Sequence, residues 1–141
     1  MIGTVSVKST PVYFHVQRNS TFSSPNQNVT LPFDTEVINV GNAMNVKSGI
    51  FTAPKSGTYF FLFSGVKSDG NQLFVSLMLN GYLVASTTSI HALSSINVLS
   101  TLKLEEYDEV SLTLTGYSLF EDADRRYTQF IGILLQEELS F

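Results

Sequence analysis

The sequence predicts an all-β sandwich or jelly roll, and three observations carry that expectation. Apolar and polar residues alternate with a period of two in segment after segment, and turn residues recur about every ten positions. No stretch shows the periodicity of an amphipathic helix. Composition agrees with this pattern. Charged residues make up only 14% of the 141-residue chain, against roughly a quarter in ordinary globular proteins. Ser, Thr and Asn take their place, which suits antiparallel strands with many turns rather than a long exposed helix or an acidic tail.

The elements follow in order. In 12–17, Val12, Phe14 and Val16 share one face and Tyr13, His15 and Gln17 the other. A polar loop over 18–28 precedes a short extended piece at 29–34. Residues 36–53 predict two short strands around Gly41-Asn42 and Ser48-Gly49, and a Pro54–Gly57 turn leads into a strand at 58–66. In 73–88, Asn80-Gly81 between two apolar runs is the strongest short hairpin signal in the chain. A Ser/Thr-rich stretch with His91 follows. A second hairpin then turns Val110, Leu112 and Leu114 inward and Ser111, Thr113 and Thr115 outward. A charged loop at 120–126 precedes the last strand, 127–138. Residues 1–10 read as a leader or linker, 11–138 as one globular domain and 139–141 as a tail.

Three of these strands are apolar on both faces. Tyr59, Phe61 and Phe63 alternate with Phe60 and Leu62, and 74–79 and 130–135 behave alike. A monomeric antiparallel sheet normally wets one face. Such strands need a second apolar contact, supplied by a subunit interface or by loops of their own chain.

Several function classes recede. The formal net charge is −4 and Arg125-Arg126 is the only adjacent basic pair, so no cluster exists to neutralise phosphates, and nucleic acid is not expected as a partner. No apolar run approaches the roughly 20 residues that cross a bilayer as a helix, so membrane insertion is not expected. Without cysteine, thiolate catalysis, disulfides and Cys-based zinc sites fall away. The first ten residues lack the basic start and apolar core of a secretory signal. Either the protein stays inside the cell, or its start has been trimmed with an added or retained Met.

The spacing Phe33, Asn39, Met44, Phe51, Gly57, Tyr59, Phe61, Phe63 resembles the motif of the complement C1q globular domain, within the C1q and tumour necrosis factor-like group. Met44 is the one departure, standing where that family has an aromatic residue or Leu. The resemblance runs from about Val12 to Gln136 and includes Phe130 and Gly132 in a closing strand similar to the family's. It implies a ten-stranded jelly roll assembled as a homotrimer, with aromatic strands packed about the three-fold axis. It also implies a secreted, non-enzymatic recognition module for glycans, microbial surfaces or proteins. A cytokine-like receptor ligand of the tumour necrosis factor type and a structural jelly-roll component are the alternatives. No Gly-X-Y repeat is present, so the chain resembles a head domain alone.

Candidate sites are few. Phe51, Tyr59, Phe61 and Phe63 are expected in the core or an interface rather than on a carbohydrate platform. His15 reads as a partly exposed strand residue, no serine lies in a Gly-x-Ser-x-Gly elbow, and no catalytic site or cofactor is expected. Family members bind calcium through acidic residues before the Leu-x-Leu strand, but 85–97 here contains no Asp or Glu. Glu121, Asp122 and Asp124 form the densest acidic cluster, a weak calcium candidate whose simpler reading is a solvated loop. His91 is a candidate for an axis-lining loop that binds a metal or switches with acid, against the simpler reading of one exposed histidine. Asn19 and Asn28 head glycosylation sequons. Ligand contacts are expected on the 18–28, 66–72, 86–95 and 120–126 loops.

Overall fold

The computed structural model describes residues 10–23, 28–116, 118–121 and 125–139. The strands are β1 (Tyr13–Gln17), β2 (Phe22–Ser23), β3 (Asn28–Thr30), β4 (Thr35–Val40), β5 (Met44–Asn45), β6 (Ile50–Thr52) and β7 (Gly57–Lys67). They continue as β8 (Leu73–Leu79), β9 (Tyr82–Ser89), β10 (Ser94–Leu104), β11 (Glu109–Gly116), β12 (Ser118–Leu119) and β13 (Gln129–Glu137). Ten of them form two antiparallel five-strand paths, β10-β7-β13-β1-β4 and β5-β6-β11-β8-β9. The three short remaining strands are accessories: β3 pairs with β11, and β2 with β12. This is the expected ten-stranded jelly-roll sandwich. No helix long and apolar enough to cross a membrane occurs among the described residues.

Local sequence explains the connections. Asn80 and Gly81 both take positive φ, 50° and 82°, giving the two-residue turn whose twist matches a β-hairpin. The 36–53 segment contains three strands rather than two, because Gly41 and Asn42 (φ 95° and 52°) reverse the chain between β4 and β5. Gly57 serves close packing: a Cβ there would lie 2.4 Å from the Gln136 carbonyl oxygen of β13.

The core lies between the two paths, and alternation assigns it. From the first sheet come Phe14, Val16, Tyr59, Phe61, Phe63 and Phe130, and from the second Phe51, Val75, Leu77, Val110, Leu112 and Leu114, all buried. The rings touch one another. Phe14 is 5.4 Å from Phe51 and 5.1 Å from Phe130, while Phe51 is 5.5 Å from both Tyr59 and Phe61. Such tilted and edge contacts add about 0.5–1.5 kcal/mol each beyond the area they bury.

Candidate functional site

The outward face of the first sheet is the first feature that burial does not explain. Strand register sets Ile38, His15, Ile131, Leu62 and Leu99 in one transverse row across β4, β1, β13, β7 and β10. The next row is Val40, Tyr13, Ile133, Phe60 and Thr101. Leu99 is 60% exposed, and Ile38 and Ile133 are also exposed. Phe60, Leu62 and Ile131 are half-buried. The two-sided strands therefore divide cleanly, with Tyr59, Phe61 and Phe63 filling the core and Phe60 and Leu62 facing outward. Beyond these rows the face turns polar. His15 bonds to Gln129 Oε1, which also accepts from Gln17 Nε2 at 3.0 Å, and Gln129 pairs with Ser64.

The second feature is the set of loops at the polar end of that face. Contacts bring the described parts of the four loops named from the sequence to the same end of the sandwich. Ser94 pairs with Lys67, Phe22–Ser23 pairs with Ser118–Leu119, and Phe120 bridges to Val66. The backbone N–H of Glu121 donates to Thr21 Oγ1 at 3.0 Å.

Two buried cations organise this end. Lys67 is fully buried, and its ammonium donates to the Asp69 carbonyl and, at 3.2 Å, to the His91 carbonyl. The Asp69 carboxylate lies 3.7 Å away. One ammonium thus ties the β7–β8 loop to the β9–β10 loop. Arg18 donates to the carbonyls of Pro32 (2.9 Å) and Ser20 (3.2 Å) and sits 4.9 Å over the Phe22 ring. Burial pulls its pKa below the ordinary value, while the charges of Asp34 and Glu121 push the other way.

The residues named from sequence fall as follows. Phe33, Met44, Phe51, Tyr59, Phe61, Phe63 and Phe130 are buried core. Asn39 donates through Nδ2 to the Met44 carbonyl (2.8 Å) and holds the 39–44 reversal. Gly57 and Gly132 are buried. Glu121 turns inward: its carboxylate accepts from the backbone N–H groups of Tyr127 (2.8 Å) and Thr128 (2.7 Å). Asp122 and Asp124 lie outside the described residues. His91 is exposed, in a loop fastened through its own backbone, with its N–H on Ser89 Oγ and its carbonyl accepting from Ser94 Oγ. Asn19 and Asn28 are both exposed, and Asn28 Oδ1 accepts from Thr115 Oγ1 at 2.6 Å.

Sequence reading missed Lys67 and Arg18. Alternation along β7 places Lys67 on the inward face with Phe61 and Phe63. That was a readable signal, but a lysine at a strand end ordinarily turns to solvent.

Comparison with known proteins agrees with this architecture. The family model of the C1q domain matches residues 13–135. The mouse and human "Complement C1q tumor necrosis factor-related protein 3" are each 39% identical over 116 residues, covering 79% of this chain. The chain spans 47% of the length of those relatives. Among solved structures, the globular domain of zebrafish complement 1qA superposes with a TM-score of 0.73 at 20% identity, covering 90% of this chain and 98% of that one. Murine APRIL gives 0.67 at 14% identity, covering 89% and 99%. The S. frugiperda Eiger TNF gives 0.68 at 11%, covering 94% and 97%. With the family motif buried in the core of a two-sheet jelly roll and a match across nearly its whole length, the chain belongs to the C1q domain family.

Proposed function

We propose that this chain is a non-enzymatic recognition module that works outside the cell as a homotrimer and presents its 18–28, 66–72, 86–95 and 120–126 loops to a ligand. The observation that carries the reading is the apolar outward face of the first sheet. Leu62, Leu99, Ile131 and Ile133 line up on a sheet whose other face already forms the core, so the face calls for a second apolar surface. Two further copies of the chain supply that surface in a C1q-type trimer. The polar rows then stand at the edge of the interface, beside the loops.

Three loop clusters held side by side act by avidity. Weak individual contacts to a repeated surface multiply, provided the spacing allows simultaneous engagement. Glycans, microbial surfaces and repeated protein epitopes all meet that condition. The histidines support a role without chemistry of its own, since His15 is taken up by Gln129 and His91 stands exposed on a loop.

Light scattering on the purified chain tests the assembly. A mass of three chains at micromolar concentration is expected, and a monomer overturns the reading. Arrays of glycans, microbial polysaccharides and receptor ectodomains then separate a pattern-recognition role from a cytokine-like one. Tight binding to one receptor, with no response to polysaccharide, selects the latter.

A further inference from the structure

At the end opposite the four loops, the surface carries a groove of about 560 Å³. Its walls are the turn joining β4 to β5, strand β6 with Ala53 and Pro54, and the turn joining β10 to β11. None of its lining residues is charged. The walls are tied together by backbone hydrogen bonds. Thr52 N–H donates to the Ala43 carbonyl (2.9 Å), Ala53 N–H to Asp108 (2.8 Å) and Tyr107 N–H to Ala53 (2.7 Å). The groove is therefore a preformed feature of a single chain.

Its lip carries a residue that the backbone does not favour. Asp108 N–H donates to the Glu105 carbonyl at 3.1 Å, closing a four-residue turn in which Tyr107 is third, with φ +73°. Glu106 has no positive φ, which makes this a type II turn, and that third position belongs to glycine. A bulky side chain there is strained. Burial does not compensate for the strain, because Tyr107 is 72% exposed. Backbone strain held at an exposed aromatic beside a concavity is the pattern from which a functional role is inferred.

The remaining lining supplies matching chemistry. Asn42, itself at φ +52°, stands exposed, and its side-chain amide makes no hydrogen bond to any other described residue. Asn45 accepts from Ser48 N–H through Oδ1 at 3.1 Å, and its Nδ2 bonds to no described residue. Thr52 adds a hydroxyl and Ile50 an apolar floor.

We infer that this groove binds a neutral saccharide, with a sugar ring stacked on Tyr107 and its hydroxyls bonded to Asn42, Asn45 and Thr52. A pyranose offers an apolar C–H face and a rim of hydroxyls that both donate and accept. An aromatic ring beside exposed amides complements both features. The uncharged lining gives phosphate, sulfate or a peptide terminus no partner, and the Glu106 carboxylate, which bonds to the Tyr107 side chain at the lip, repels anionic sugars. The site goes beyond the proposed trimer: it lies at the other end of the sandwich and needs one chain only.

The test is a heteronuclear NMR titration of the ¹⁵N-labelled chain with the methyl glycosides of glucose, galactose, mannose and N-acetylglucosamine. At about 20 mM sugar, well above a millimolar dissociation constant, at least one is expected to shift the amides of 41–45, 52–54 and 106–108. Those of 68–72 and 90–93 are expected to stay still. Tyr107→Gly is expected to abolish these shifts while raising the melting temperature by about 3 °C, since the strain is released. Tyr107→Phe, which keeps the ring, is expected to retain them. Three results overturn the proposal: no shift from any neutral sugar, shifts that survive undiminished in Tyr107→Gly, or stronger binding of a sialylated or sulfated sugar. Light scattering on the same sample reports the trimer separately, so failure of one reading is distinguishable from failure of the other.

Discussion

Phe14 occupies the space that Gly132 leaves open. A Cβ added at 132 would meet Phe14 Cε2 at 2.2 Å and Phe61 Cε1 at 2.9 Å. Phe14 and Gly132 are also register partners across β1 and β13, so neither backbone can retreat without losing ladder hydrogen bonds. Gly132→Ala is therefore expected to destabilise the fold by about 1–3 kcal/mol through overpacking. Phe61→Ala, which empties the same ring cluster, is expected to cost about 3–5 kcal/mol. Urea unfolding of both variants checks the pair, and a Gly132→Ala protein as stable as the parent would contradict the packing described.

The outward face of the first sheet makes a different prediction. Leu99 is exposed in the single chain, so Leu99→Asp leaves the core intact. At the proposed three-fold interface it would bury a charge without a partner. The variant is expected to retain its β-sheet circular dichroism and to sediment as a monomer. Persistence of the trimer would place the interface elsewhere.

Lys67→Met tests the internal tether at the loop end. The methionine fills the apolar part of the site but takes the ammonium donor from the Asp69 carbonyl and leaves the His91 carbonyl with Ser94 Oγ alone. A hydrogen bond to a charged donor contributes about 1.5–3 kcal/mol. Amide exchange is expected to rise in 68–72 and 90–93 and to stay unchanged in β11. Uniform loss of protection across the chain would instead mean that Lys67 supports the whole fold.

Tyr59 gives the alkaline limit. Its phenol is buried and donates to the Lys55 carbonyl at 2.7 Å. Burial raises its pKa above the ordinary value of a tyrosine, more than that hydrogen bond lowers it. The folded state thus keeps its proton at a pH where the unfolded chain loses it, so the contribution is full below pH 10 and falls as pH rises above that. Thermal melts between pH 8 and about 11.5 are expected to show stability declining over the upper half of that range. Tyr59→Phe is expected to be less stable at pH 8, by about 1 kcal/mol for the lost hydrogen bond, and to decline less steeply. Parallel curves for the two proteins would remove Tyr59 as the cause.

Much of this was legible in the chain itself. The Asn80-Gly81 hairpin, the inward set Val110, Leu112 and Leu114, and the split of Tyr59, Phe61 and Phe63 from Phe60 and Leu62 follow from local period and turn chemistry. Those signals survive because a strand buries whichever face is apolar. Where local signals were thin, the reading lost detail. The 36–53 segment divides into three strands, because two-residue strands such as β5 leave no period to read.

Sequence by itself determined the fold class, the core and the doubly apolar strands, since these depend on residue type at a fixed spacing. Tertiary structure decided what the loops and turns do. It turned Glu121 inward onto backbone amides and buried Lys67 between two loops. It also held Tyr107 in a glycine-type turn above an amide-lined groove. Each of these depends on partners 6 to 54 positions away in the chain (Glu121 with Tyr127, Lys67 with His91, Tyr107 with Ala53). Polar loop chemistry carries no period from which to read such encounters, and only the closed sandwich brings the partners together.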